Sequence, residues 1–339
     1  MTSTPPLLEV SDLRVTLPVR GQRQPVLHGV DLSLAAGTSV GLVGESGSGK
    51  SMTARAVLGL LPDGARREGA IRFDGVPLTE SDVAALRRLR THDAAMVFQD
   101  PRAHINPVRT IGDFLTEALV HTRGTGRRAA ETKVTALLSD VGVPDAARRL
   151  RQRPAELSGG LLQRVMIAAA LAVEPRLLLA DEPTTALDVT TQAEVMAVID
   201  EARAVRGLAM LFITHDLALA AAVCDRIAVM YAGAIVEELP ADRLHDDARH
   251  PYTRALLASR PDPADEDGVL RAITGRPLSA FEAGEGCAFA PRCPQAEDVC
   301  RTRRPPLRAA ADSLAACHLL TAADAGGGAP DADRSTAHG

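Results

Sequence analysis

Gly44-Glu45-Ser46-Gly47-Ser48-Gly49-Lys50-Ser51 sets glycines, a lysine and a hydroxyl in the order G-x-x-x-x-G-K-[ST]. This spacing lets backbone N–H groups turn inward around phosphate oxygens, and a helix that starts at the lysine adds the positive end of its dipole. The flanks suit that chemistry. Val40–Val43 reads as a short buried strand, and a helical pattern runs from about Ser51 to Leu61, where Pro62 ends it. In such a loop Lys50 reaches the β- and γ-phosphates of a nucleotide and Ser51 holds Mg²⁺. The plain alternative is a chance glycine-rich turn, which has no need of a strand before it and a helix after it.

Other polar residues stand just past apolar runs. Gln99 follows Ala95–Phe98, Asp181 and Glu182 follow Leu177–Ala180, and His215 follows Met210–Thr214. In a doubly wound sheet the C-terminal strand ends meet at the ligand site, so these four should converge near Lys50. Asp181 is then placed to bind Mg²⁺, with Gln99 sensing metal and water. Glu182 is placed to polarise the attacking water and His215 to touch the γ-phosphate. Any one of them alone is better read as a cap or a solvated turn. Ser158-Gly159-Gly160 opens another apolar helix and makes a second anion-binding start. An isolated Ser-Gly-Gly is a simple N-cap. In a chain with one phosphate loop it gains a use if it faces a nucleotide held on a second subunit.

The elements that must position these residues alternate. Leu7–Leu17 and Val30–Leu34 read as antiparallel edge strands; the four apolar runs named above, with Ile227–Tyr231, are separated mostly by helical patterns. That order implies an α/β fold with a mostly parallel sheet covered on both faces. A helical stretch from about Arg102 to Val173 interrupts it as an inserted subdomain. Past Glu238 prolines punctuate short helices, and four of the five cysteines fall between Cys287 and Cys317. The expected division is 1–245, 246–321 and a disordered tail at 322–339, rich in Ala, Gly, Asp and Ser. A length of 339 residues suits two domains. A net charge of −5 and 2% aromatic residues argue against a nucleic-acid binder, which needs a basic face or stacking platforms. No apolar run approaches the roughly 18 residues of a membrane span. Met1–Pro6 shows no basic stretch followed by an apolar one, so no secretory leader is expected.

The order of phosphate loop, Gln99, L-S-G-G-L-L-Q-R (Leu157–Arg164), L-L-L-A-D-E-P and His215 resembles the ATP-binding subunits of ABC transporters. Asp188, in A-L-D-V-T, matches that family's D-loop. Phe98–Gly112, the run H-P-Y-T-R-A-L-L (His250–Leu257) and the cysteine-bearing extension resemble the oligopeptide and dipeptide importers more narrowly. The resemblance implies a P-loop ATPase core with an antiparallel β edge, an inserted helical subdomain and a small cysteine-containing C-terminal domain. It implies two ATP molecules sandwiched head-to-tail between two such subunits, the second usually a paralogue. Residues 44–51 of one chain and Ser158, Gly159, Gly160 and Gln163 of its partner would clamp one nucleotide, with Glu182 as base. The surface His104–Arg109 would receive a short helix from one of two membrane permease subunits, and an extracytoplasmic solute-binding protein would deliver the peptide. The chain would sit peripherally on the cytoplasmic face of the plasma membrane. The same machine importing nickel, glutathione or another small solute is the near alternative. A soluble ABC-type ATPase usually carries coiled coils, paired cassettes or basic patches, and none is present. A GTPase would need an N-K-x-D motif, which is also absent. One departure is Leu17, where the family usually has an aromatic residue stacking on adenine; Arg20 or Arg23 would have to substitute.

Cys287, Cys293, Cys300 and Cys317 are spaced C-x5-C-x6-C-x16-C in a proline-rich, poorly cored stretch. In a cytosolic protein such a set is an inorganic staple or a group of core thiols rather than disulfides. Zinc sites usually use tight C-x2-C knuckles, and an Fe–S cluster tolerates irregular spacing. Members of the peptide-importer family are similar here, which implies a [4Fe–4S] cluster. The role expected for it is structural, so that Cys293→Ser loosens the extension and leaves nucleotide binding intact. Cys224, in A-A-A-V-C-D-R-I, reads as a core residue.

Overall fold

The computed structural model describes residues 5–184, 187–259, 273–310 and 312–320. The expected tail at 322–339 lies outside the described residues.

Two sheets organise the chain. The first is antiparallel: β1 (Leu8–Val19), β2 (Gln22–Leu34), β4 (Arg66–Phe73) and the short β5 (Val76–Pro77), in the order β2-β1-β4-β5. β1 and β2 pair antiparallel as expected, but as a hairpin turning at Arg20 and Gly21, both with positive φ, so the second strand begins at Gln22 rather than Val30. The second sheet has eight strands in the order β11-β12-β10-β9-β3-β8-β7-β6. Its parallel centre is β3 (Ser39–Val43), β6 (Ala94–Val97), β7 (Leu177–Asp181), β8 (Ala209–Thr214) and β9 (Arg226–Tyr231). These strands are apolar throughout because both faces are covered. Along β8, Met210 and Phe212 join one core while Leu211 and Ile213 join the other. The first core lies against the helical side, the second against the antiparallel sheet. Each such buried aliphatic side chain contributes roughly 1.5–3 kcal/mol relative to exposure.

Helix α1 (Lys50–Val57) leaves the end of β3 and is shorter than the sequence suggests. It stops at Gly59, not Pro62: with φ of 63° there, Leu60 N–H donates to Arg55 C=O and Gly59 N–H to Ala56 C=O. This crossed pair satisfies the last carbonyls and closes the helix. After α2 (Val83–Arg88), the expected insertion is present as α3 (Pro101–His104), α4 (Ile111–His121), α5 (Arg127–Asp140), α6 (Ala146–Arg149) and α7 (Gly159–Ala172). α8 (Val189–Arg206) and α9 (Leu217–Val223) return the chain to the parallel sheet.

β4 and β10 (Ala234–Pro240) did not stand out in the sequence. β4 exposes most of its side chains and buries only Ile71 and Phe73; β10 carries Glu237 and Glu238 in mid-strand, both buried. Beyond β10 come α10 (Leu244–Asp247), α11 (Pro251–Ala258) and α12 (Asp298–Thr302), then β11 (Arg308–Ala310) and β12 (Ser313–Ala315). β12 pairs with β10, matching Glu237 to Ala315 and Glu238 to Leu314. The extension thus finishes the sheet begun by the ATPase-like core. A cut at residue 245 would pass through hydrogen-bonded structure.

Candidate functional site: a phosphate loop and its surroundings

The phosphate loop joins β3 to α1 as its spacing requires. Gly49 adopts φ of 106° at the helix start, and a Cβ there would stand 2.7 Å from Leu27 Cδ2. A Cβ on Gly44 would stand 2.1 Å from the Met230 carbonyl oxygen, so β9 admits no side chain there. Lys50 is buried, and its Nζ donates to the Gly44 and Glu45 carbonyls at 2.8 and 3.1 Å. Burial lowers its pKa, against the pull of Glu182 and Asp181. The ammonium is therefore held across the mouth of the loop, beside those two carboxylates.

Those carboxylates end β7. Ser51 Oγ donates to Asp181 Oδ1 at 2.9 Å; burial raises the Asp181 pKa and that hydrogen bond lowers it. A hydroxyl oxygen and a buried carboxylate at this distance form the oxygen donor pair that Mg²⁺ prefers. Glu182 adopts φ of 49°, and its N–H donates to the Ile213 carbonyl of β8 at 2.9 Å. Gln99 Nε2 donates to Glu182 Oε2 at 2.9 Å, and His215 Nδ1 lies 3.3 Å from Oε1. The structure thus brings Lys50, Ser51, Gln99, Asp181, Glu182 and His215 together at the strand ends. Such a cluster can bind a polyanion and a divalent cation and place a carboxylate beside a water.

The Ser158 segment is built differently. Ser158 caps α7, its Oγ accepting from Leu161 N–H at 3.4 Å, and a Cβ on Gly159 would meet nothing within 4 Å. Among the described residues, no hydrogen bond joins Ser158, Gly159 or Gly160 to residues 44–51. Gln163 does not share this outlook: it is buried, with Nε2 3.5 Å from the Phe98 carbonyl. One helical turn past Gly159 it points into the protein. Its neighbour Arg164 donates to Gly142 C=O and Thr191 Oγ1, and Thr191 in turn bonds Asp188, the N-cap of α8. Of the residues suggested for adenine, Arg20 is exposed in the hairpin turn, Arg23 donates to Gly64 C=O at 3.2 Å, and Leu17 packs against the β-side core.

The extension holds two surprises. Cys287, Cys293, Cys300 and Cys317 line one small pocket with His250 and Phe289. The expected cluster is nevertheless not borne out as a formed centre. Among the described residues no group of three or more His, Cys, Asp or Glu side chains could hold a metal ion. Burial pushes the Cys287, Cys293 and Cys317 thiols up, toward the protonated form that must be lost on metal binding. Cys224 is a core thiol as expected, pushed up to about 12 by burial.

The second surprise is that the extension reaches the phosphate loop. Arg292, the residue before Cys293, pairs with the Glu45 carboxylate through both terminal nitrogens, at 2.7 and 3.1 Å. The Tyr252 hydroxyl accepts from Glu45 N–H at 3.1 Å. Tyr231, Tyr252 and Phe289 pack together beneath this contact. The extension therefore touches the phosphate loop directly. Its one available signal was compositional: the chain has only two tyrosines, and both are here.

With this geometry in place, comparison with known proteins is specific. Residues 27–185 match the ABC transporter family, and residues 236–300 match the oligopeptide/dipeptide transporter C-terminal region. The chain is 46% identical over 315 residues to the oligopeptide transport ATP-binding protein OppD of Mycobacterium tuberculosis; that match covers 92% of the chain but 52% of the longer relative, about half its length. It is 43% identical over 318 residues to a putative peptide import ATP-binding protein of Brucella ovis, covering 90% of the chain and 94% of that protein. Salmonella typhimurium OppD is 41% identical, with 89% and 90% covered. Among solved structures, the dimeric post-hydrolysis ATP-binding cassette MJ0796 with ADP and Pi superposes with a TM-score of 0.63 at 26% identity, over 69% of this chain and 98% of that one. An ABC ATPase fold bearing this C-terminal region, at such identity along nearly the whole of a relative, places the chain in the family of peptide-import ATP-binding proteins of ABC transporters.

Proposed function

We propose that this chain is the ATP-hydrolysing subunit that energises uptake of short peptides through an ABC transporter. The observation that carries the proposal is the Glu182 carboxylate, bridged by Gln99 and His215 beside Lys50 and Asp181. The loop 44–51 binds the nucleotide phosphates, its backbone N–H groups and Lys50 meeting the negative charge. Ser51 and Asp181 would hold Mg²⁺, with Gln99 alongside; when bound, the ion supplies charge neutralisation at the transferring phosphate. Glu182 takes a proton from the attacking water, and its left-handed backbone with the β8 hydrogen bond keeps the carboxylate in place. His215 orients that carboxylate and the γ-phosphate.

Ser158, Gly159 and Gly160 serve the nucleotide on a second ATPase subunit, which we take to be a paralogue, and Asp188 lies at the same seam. Their support is a helix start capped by Ser158, with open space around Gly159. Gln163 then acts from inside, tying α7 to the strand end before Gln99. The surface around His104–Arg109, where Val108 is 73% exposed, is our docking face for the membrane permeases. No helix of the described residues is long and apolar enough to cross a membrane, in keeping with a peripheral subunit on the cytoplasmic face. An extracytoplasmic binding protein would supply the peptide. We take residues 1–245 as the nucleotide-binding unit and 246–321 as its extension. For the extension, the family resemblance suggests a [4Fe–4S] cluster on Cys287, Cys293, Cys300 and Cys317, which share one pocket although, among the described residues, no three stand placed for a single metal ion. Iron and sulfide analysis of protein purified without oxygen tests it, and zinc or metal-free thiols would refute it.

Uptake of a labelled short peptide in the source cell tests the function. After deletion of the gene, the wild-type chain should restore uptake and Glu182→Gln should not. Restoration by both would refute the role given to Glu182. Unchanged uptake after deletion, with related importers also removed, would refute peptides as the cargo.

A further inference from the structure

Glu45 is an awkward residue for a phosphate loop. It follows the first glycine of the loop, and its carboxylate is near enough to Lys50 to act on that ammonium. Free, that charge would repel the ligand. It is not free: Arg292 engages both oxygens from a guanidinium whose side chain is only 5% exposed. A forked, nearly dry pair of this kind is strong and directional. The remaining guanidinium positions are also committed. Nε donates to the Thr274 carbonyl at 3.1 Å and Nη1 to the Tyr231 hydroxyl at 3.3 Å. Tyr231 and Phe289 lie beneath the plane, with Cζ 5.8 and 5.9 Å from their ring centres. The backbone of Glu45 is held as well, through its N–H on Tyr252. Glu237, buried in β10, steadies that tyrosine by accepting from the N–H groups of Arg249 and His250. Both handles on Glu45 thus come from the extension, 207 and 247 residues further along the chain.

We propose that Arg292 is a positioning residue for the nucleotide site: it neutralises and anchors Glu45, so that ATP affinity depends on the folded C-terminal extension. The proposal rests on the reading of residues 44–51 as the ATP site. Its logic is preorganisation. A loop held in its binding geometry loses less freedom when the ligand arrives, and a neutralised carboxylate removes a like-charge penalty.

The test is Mg-ATP binding by the full-length chain, measured by calorimetry, with unfolding temperatures taken without nucleotide. Arg292→Gln should weaken ATP binding about tenfold. Adding Glu45→Gln to it should restore affinity to within about threefold, because the repelling charge is gone. A merely structural role predicts the reverse, since two substitutions in one contact would not recover binding. Tyr252→Phe removes only the hydroxyl and should weaken binding about threefold; it serves if Arg292→Gln does not fold. Equal affinity in wild type, Arg292→Gln and Tyr252→Phe would overturn the proposal, as would a double variant no better than Arg292→Gln. A wild-type chain that binds no ATP would overturn the nucleotide-site reading and the proposal with it.

Discussion

Gly44 and Gly159 sit in two glycine-bearing helix starts of one chain, and their surroundings are opposite. At Gly44 the protein itself forbids a side chain, with the Met230 carbonyl 2.1 Å from where a Cβ would stand. At Gly159 the protein forbids nothing, because the space around it is open to 4 Å. The same contrast runs through their surroundings. Lys50, Ser51, Asp181, Glu182, Gln99 and His215 are tied to one another or to the loop. Ser158 makes one long cap to its own helix. One segment closed on its own chain and one left open is what the proposed two-subunit assembly requires, each subunit completing the other.

Five substitutions put that contrast to the test. The largest effect is expected at Glu182→Gln in the assembled transporter: ATP turnover falling about 10²–10⁴-fold, the usual cost of losing a general base, with ATP still bound. Near-normal turnover would place the base elsewhere. Lys50→Ala comes next. Each hydrogen bond to a charged group is worth about 1.5–3 kcal/mol, so ATP affinity should drop roughly 10–100-fold in a binding assay on the isolated chain. The glycines give the direct comparison. Gly44→Ala should lower the unfolding temperature and ATP affinity together, whereas Gly159→Asp should leave both nearly unchanged in the single chain and stop hydrolysis in the assembly. Equal damage from both in the isolated chain would erase the distinction. The smallest effect is at the adenine position. Leu17→Tyr should tighten ATP binding a few-fold, since a stacked ring is worth about 0.5–1.5 kcal/mol. No change, measured by titration, would mean the base lies elsewhere.

Much of the nucleotide site was legible because its parts are local. A glycine spacing, a lysine at a helix start and polar residues one step past apolar strands are short-range patterns, and the parallel sheet gathers them. The insertion and the five parallel strands were legible for the same reason, being continuous apolar or helical runs. β4 and β10 escaped notice because one exposes most of its side chains and the other buries carboxylates, so neither alternates cleanly. The link from Arg292 and Tyr252 to Glu45 escaped because no spacing rule joins residues more than two hundred positions apart. Gln163 shows a related limit. The motif names the residues of a helix start, and only the packing of α7 decides which of them faces inward.

In the proposed assembly the Ser158 segment completes a nucleotide site on another subunit. Light scattering of the Glu182→Gln chain tests it most directly, alone and mixed with the transporter's second ATP-binding subunit, with and without Mg-ATP. ATP should add one subunit's mass to the particle in at least one of these mixtures, and Gly159→Asp should abolish the gain while this chain still binds ATP. ATP-dependent association unaffected by Gly159→Asp, or full hydrolysis by a chain that stays monomeric, would contradict it.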